Sequence, residues 1–376
     1  MNSFSLFFVA FVIGLDEFLL GPLLTPIGND LGVAPERIAL LVATYNLPLA
    51  LLAPVFGTLS DRIGRSRVIF PAAFLFSCAS LFTAMAPSFG LALLARLLTG
   101  IAAAGMLPVA FAMASESEDS ATAISRVQAG LTLGIILGPL NGALMDAIAD
   151  WRMAFVTLAV ASGFLAFQMK RSPRRTKLEA PGETGRIRAV QRALPGILAM
   201  LFGLGGAIGI FAIVGARIRD LHGFDTAQVS ALFAGFGAMT VLGNLLAPQL
   251  IRMIGPRLSA GICLAAVLAG VFALFAAPGA DFSLTLAGLG LWAIFGGCAA
   301  PSLQAALADT GGGNRGFILA MGASALNAGT ALASALAAEL HLLSAQMVAW
   351  QATMTLLPAS LLLLFWGLRA SAHETA

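Results

Sequence analysis

Charged residues are scarce in this chain. Only 10% of its 376 residues are Asp, Glu, Lys or Arg, against about 25% in soluble domains, so there is too little charge to clothe a water-exposed surface. Cysteine is scarcer still. Cys78, Cys263 and Cys298 all fall inside apolar runs, which excludes a disulfide scaffold or a clustered metal site and reads them as packed thiols. A phosphate loop is also missing: glycine-rich runs such as FGLGGAIG at 202–209 lie in apolar helical material, lack a Lys-Ser/Thr ending and follow no strand, so they serve packing. No extended polar segment could house an enzyme domain or a nucleic-acid surface. The expectation is a non-enzymatic protein with no cofactor, no metal and no nucleic-acid partner, using an ion gradient as its source of energy.

What is abundant is apolar sequence, 59% of residues at a mean hydropathy of +0.92, and it comes in blocks. About 20 apolar residues at 1.5 Å rise cross a bilayer core roughly 30 Å thick. Windowing gives spans at 4–27, 38–60, 68–86, 89–113, 124–147, 152–169, 194–219, 228–251, 258–277, 282–307, 316–339 and 346–368. The 41 glycines suit close helix contact in lipid. Residues 1–27 carry no basic n-region but do carry Asp16, Glu17, Pro22 and Pro26, so they read as a first span and not as a cleaved signal peptide. The fold class expected is an all-α integral membrane protein with twelve transmembrane helices in two pseudo-symmetric six-helix bundles.

Arg and Lys set the orientation. With the N-terminus inside, sixteen basic residues face the cytoplasm and four face outward, a strong positive-inside bias that puts both termini in the cytoplasm of a cell (inner) membrane. The longest polar segment, KRSPRRTKLEAPGETGRIRAVQRA at 170–193, divides the chain into an N-terminal bundle at 1–169, a basic cytoplasmic linker at 170–193 and a C-terminal bundle with a short tail at 194–376. Two six-span halves suggest an internal repeat. A faint echo agrees: GTLSDRIGRS at 57–66 and PQLIRMIGPR at 248–257 share Ile-Gly at the same offset.

Charges inside the spans are the candidates for chemistry. A charged side chain at a helix centre costs roughly 2.5–3.5 kcal/mol on insertion scales, so it is paired or faces a polar cavity. Asp16 and Glu17 stand side by side in span 1; either could carry protons, or both could serve packing. Arg96, in span 4, stays protonated and can pair with a carboxylate or tune one. Tyr45, Asn46, Asn141, Asn244, Gln304 and Asn327 interrupt apolar helices and could meet a substrate or bridge helices, bridging being the commoner outcome. Trp292 and Phe295 are candidates for an aromatic cavity wall, and Glu339 sits beside His341 near the outer end of span 11. In the compact charged turn GTLSDRIGRSRV at 57–68, Gly57 could admit a close helix, Asp61 could cap or pair, and Gly64 permits a reversal. Arg62, Arg65 and Arg67 hold the inner leaflet or pair with acids.

The pattern G-x-L-x-D-R-x-G-R at 57–65 resembles the helix 2–3 signature of the major facilitator superfamily. LLARLLTGIAAA at 93–104 resembles its helix 4 signature through Arg96 and Gly100. GIILGPLNGAL at 134–144 resembles the helix 5 signature of proton-driven exporters, with Asn141 where glycine is common, and GLDEFLLGPLLTPIG at 14–28 resembles helix 1 of drug and small-metabolite exporters. The resemblance implies a monomeric antiporter whose halves open a central cavity alternately to each side, with protons, a small amphipathic molecule and membrane lipids as its partners. It implies a gating role for Gly57, Asp61, Arg62, Gly64 and Arg65, conformational control by Gly134, Gly138, Pro139 and Gly142, and a part in proton coupling for Arg96. A proton-coupled importer of a sugar or other metabolite, or a non-transporting membrane sensor, are the rival readings.

Overall fold

A computed structural model describes residues 3–115, 120–170, 186–276, 279, 281–311 and 315–374. Every regular element among them is helical. Ten helices are long and apolar enough to cross a membrane, a bent pair makes an eleventh, and a shorter apolar helix covers Arg152–Gln168. The chain is an all-α, multi-pass integral membrane protein, as its blocks of apolar sequence require.

The first span is not the continuous helix expected over 4–27. It is α1 (Ser3–Glu17) and α2 (Leu20–Leu31), bent by 53°, with the break immediately after the two carboxylates. Then come a short 3-10 turn at Pro35–Ala39, α3 (Leu40–Ile63), α4 (Arg65–Met85), α5 (Phe89–Ser115), α6 (Ser120–Ile148) and α7 (Arg152–Lys170). Span 7 begins well before residue 194, as α8 (Arg186–Leu198). It runs through a π-helical turn at Ala199–Leu204 into α9 (Gly205–Phe211), then breaks before α10 (Val214–His222). The remaining helices are α11 (Thr226–Ile254), α12 (Pro256–Phe275), α13 (Phe282–Gly311), α14 (Arg315–Leu343) and α15 (Ala345–Glu374). Residues 171–185 of the expected linker lie outside the described residues.

The helices form two compact units: Met1–Gly182 with Asp225–Ala234, and Glu183–Phe224 with Gly235–Ala376. In the first, α1 and α6 run parallel and nearly backbone to backbone. Cβ atoms at Gly130, Gly134 and Gly138 would overlap the carbonyls of Phe7, Phe11 and Leu15, while Gly142 is slightly looser, 3.3 Å from the Leu19 carbonyl. The four-residue spacing on both helices keeps one face of each in register, and a missing side chain there permits the close approach that lipid-embedded helices use. Gly100 of α5 likewise takes in the backbone of Tyr45 on α3. Ser77 of α4 donates to the Ala159 carbonyl of α7 at 2.6 Å.

The second unit repeats these pairings. Gly205 and Gly209 of α9 lie against α14, and Gly329 of α14 against the Leu201 carbonyl. Gly243 and Gly297 bring α11 and α13 together. Ser360 of α15 donates to the Gly261 carbonyl of α12 at 2.7 Å. The Ile-Gly echo has a structural counterpart too: Gly64 and Gly255 both take positive φ, 101° and 81°, and each closes its helix by donating to a carbonyl four residues back, on Ser60 and Ile251. Only glycine adopts such angles without strain.

Two packing expectations need correction. Cys263 and Cys298 are buried, but Cys78 is exposed on α4. A Cβ at Gly57 would meet nothing within 4 Å, so among the described residues no helix of its unit uses that position for close approach.

Candidate functional site in the first unit

Three helices bring an acid, a base and an aromatic ring together. Asp16 is the penultimate residue of α1, and Arg96 lies on α5. Both are fully enclosed, at 0% and 1% exposure. One guanidinium nitrogen, Nη1, donates to both carboxylate oxygens at 2.6 and 2.8 Å. The face of Tyr45, from α3, covers the guanidinium at 4.5 Å, and Phe155 of α7 stands 5.9 Å away. The cation therefore has charge compensation on one edge and ring electron density nearby, the arrangement that makes an arginine tolerable away from water.

Glu17 differs from its neighbour. It is half-buried and makes no ion pair or hydrogen bond among the described residues. It also ends α1, where free carbonyls give a helix partial negative charge and a carboxylate is poorly placed. Asp16 has Arg96 to offset this, and Glu17 has nothing equivalent.

The corresponding break in span 7 carries no charge. Ile210 and Phe211 precede it, and an aromatic cluster takes the place of the ion pair. The ring of Phe211 lies 4.3 Å from Phe236 and 5.5 Å, edge to face, from Trp292. Trp292 is thus 3% exposed and packed, and Phe295 backs onto the core around Leu303 and Met200. Within their unit they do not form the open aromatic wall expected of them. Phe211 and Phe236, which complete the cluster, are invisible as a group in sequence because they come from separate helices.

The other candidates disperse. Asn141 bridges α6 to Thr157 of α7 at 3.0 Å. Asn46 and Asn327 donate back to their own helices, to Val42 and Ala323. Asn244 is half-buried and Gln304 exposed, with no hydrogen bond among the described residues. Glu339 is exposed, while His341 pairs with Asp220 at 3.1 Å. In the charged turn, Arg65 donates to the Ser60 hydroxyl at 2.6 Å and Arg67 to the Ile63 carbonyl at 3.1 Å. Arg62 is exposed, and the side chain of Asp61 lies outside what the structure describes. Gly134, Gly138 and Gly142 form the α1 groove, with Pro139 inside α6. Sequence reading passed over Gly130, the first member of that row, although the four-residue period was there to extend.

A second polar cluster secures the far end of α2. Asp30 accepts from the Arg152 guanidinium and from the Trp151 indole at 3.2 Å. The same guanidinium reaches the Ala86 carbonyl at 3.2 Å and covers the Trp151 ring. The second half of span 1 is therefore tied to α7 and to the turn after α4, independently of α1.

The sequence profile described as Major Facilitator Superfamily matches residues 6–216, more than half of the chain. The chain belongs to this superfamily. It is accordingly a secondary-active membrane transporter and not an enzyme. Among its relatives, YfhI of Bacillus subtilis, described as an uncharacterized MFS-type transporter, is 26% identical over 88% of this chain and 84% of that one. The quinolone resistance protein NorA of Staphylococcus aureus is 33% identical over 44% of this chain and 43% of its own length. Solved structures share the fold: the nucleoside transporter NupG superposes with a TM-score of 0.75 at 14% identity, covering 98% of this chain and 99% of that one. An inward-facing bacterial homologue of the lysosomal transporter Spinster gives 0.71 at 16%, covering 97% and 94%.

Proposed function

We propose that this transporter is a proton-coupled antiporter that exports a small amphipathic compound, and that Glu17 is the residue that carries the proton. One observation supports this above all. Of two adjacent acids, Asp16 is neutralised by Arg96 and Glu17 has no ion-pair partner among the described residues. An acid held by a buried arginine is committed to that pair, whereas its unpaired neighbour can exchange a proton or meet a cationic group on a substrate. Kinship with a protein named for quinolone resistance supports export of a drug-like solute.

In the full reading, twelve spans form two six-helix bundles joined by the basic linker, a monomer in the cell membrane with both termini cytoplasmic. Substrate and proton compete for one two-state equilibrium. Ionised Glu17 favours substrate entry from inside, and protonation from outside favours release, so each ligand must prefer a different state.

Proteoliposomes containing a pH-sensitive dye, challenged with a broad panel of solutes, test this. Substrate flux should drive proton movement in the opposite direction in the wild type and in Asp16→Asn, with a reduced rate, and should lose the proton component in Glu17→Gln. Proton movement in the same direction as substrate would identify an importer, and coupled movement surviving in Glu17→Gln would reject this residue as carrier.

A further inference from the structure

The geometry points to Tyr45 as the positioning residue of this site: its ring holds Arg96 on Asp16, and its hydroxyl is the hydrogen-bond donor that receives the ionised Glu17 carboxylate. This rests on Glu17 as proton carrier but assigns a function to a residue outside the charged pair.

Tyr45 is the only tyrosine in the chain. It is 3% exposed, and its hydroxyl has no hydrogen-bond partner among the described residues, an arrangement that structures avoid when phenylalanine would fill the same space. The ring alone would cover Arg96. The hydroxyl is thus available to a partner in another state, as is the unpartnered Nε of Arg96 in the same cluster. Each Asp16 oxygen already accepts from Arg96, whereas the neighbouring Glu17 carboxylate accepts from nothing among the described residues, which makes Glu17 the acceptor this hydroxyl would serve. From the helices packed against α1, namely α5, α6 and α7, Arg96 is the charged group that faces this place. Arg126 and Asp146 lie toward the two ends of α6, and Arg152 is held by Asp30.

Local sequence explains how the ring arrives there. Gly100 follows Arg96 by one helical turn on α5. A side chain at Gly100 would overlap the Tyr45 carbonyl and come within 2.6 Å of Pro48. Glycine at this position lets α3 approach so closely that the Tyr45 ring settles over the arginine one turn away. The Arg-x-x-x-Gly spacing is thus a pairing of a charge with the gap that admits its cover.

The test needs no substrate. Infrared titration of the carboxyl C=O band in proteoliposomes, with Glu17→Gln and Asp16→Asn proteins to assign it, measures the proton affinity of Glu17 directly. Tyr45→Phe keeps the ring, and its thermal midpoint should stay at or above wild type. Its Glu17 band should titrate roughly one pH unit higher, the size expected when a carboxylate loses one hydrogen bond to its charged form. Tyr45→Leu should in addition perturb the Asp16 band by releasing Arg96. An unshifted Glu17 midpoint in Tyr45→Phe would overturn the hydroxyl's role. A band insensitive to Glu17→Gln would instead overturn Glu17 as the titrating acid, a separate result.

Discussion

Arg96 illustrates how little freedom a buried charge has. Its guanidinium is enclosed by three helices, paired with Asp16 and capped by Tyr45. Removing one member of such a pair leaves the other charged and unsolvated, which costs about 3–5 kcal/mol, whereas removing both can be nearly neutral. Arg96→Met is therefore expected to lower the thermal midpoint in detergent sharply, and Asp16→Asn added to it should restore most of the loss. Equal midpoints for the single and double variants would mean that the pair contributes nothing to folding. At this scale the sequence displayed the participants, since an Asp, a Glu and an Arg in apolar helices demand explanation. It did not display which acid Arg96 takes, because adjacent residues point about 100° apart on a helix and only the packing of α1 against α5 decides between them.

Helix pairs carry the next level of organisation. The α1–α6 contact is built on Gly130, Gly134 and Gly138, each of which leaves room for a carbonyl of α1. Gly134→Ala would place a methyl group on the Phe11 carbonyl, and overpacking of this kind costs roughly 1–3 kcal/mol. A corresponding fall in thermal midpoint is expected, with Gly57→Ala, whose new methyl meets nothing within 4 Å, as the unaffected control. Because alanine is the better helix former, propensity can only raise both midpoints, and a matching fall in both would show that crowding of α1 is not the cause. Sequence resemblance marked Gly57 and Gly134 alike as gating or packing positions. The structure separates them by the presence or absence of a neighbour. The break after Glu17 was likewise hidden: Pro22 and Pro26 lie beyond it, and proline is tolerated within several of these helices. The decisive feature is that α1 follows α6 while α2 is tied by Asp30 to Trp151 and Arg152, so the two halves of the span answer to different anchors.

At the scale of the whole molecule, the two units repeat their helix pairings but not their chemistry. The break in span 1 carries an ion pair and an acid with no ion-pair partner among the described residues, and the break in span 7 carries Phe211 within an aromatic cluster. Orientation also belongs to this scale. The excess of Arg and Lys on alternate connections predicts a cytoplasmic linker, so a cysteine at Thr176, in a protein with its native cysteines replaced, should react with a membrane-impermeant maleimide in inside-out vesicles and not in intact cells. The reverse labelling would invert the topology and with it the direction of transport.

Amino-acid order by itself determined that this chain enters a membrane as helices, because backbone groups in lipid must pair within each segment and the apolar runs are long enough to span. It also determined where the chain reverses, at Gly64 and Gly255, since only glycine accepts those angles cheaply. Tertiary structure alone decided that Asp16 pairs with Arg96, that Tyr45 covers the guanidinium, and that Glu17 is left without an ion-pair partner among the described residues. These depend on which faces of separate helices meet, and a periodicity of 3.6 residues defines the faces without naming their partners.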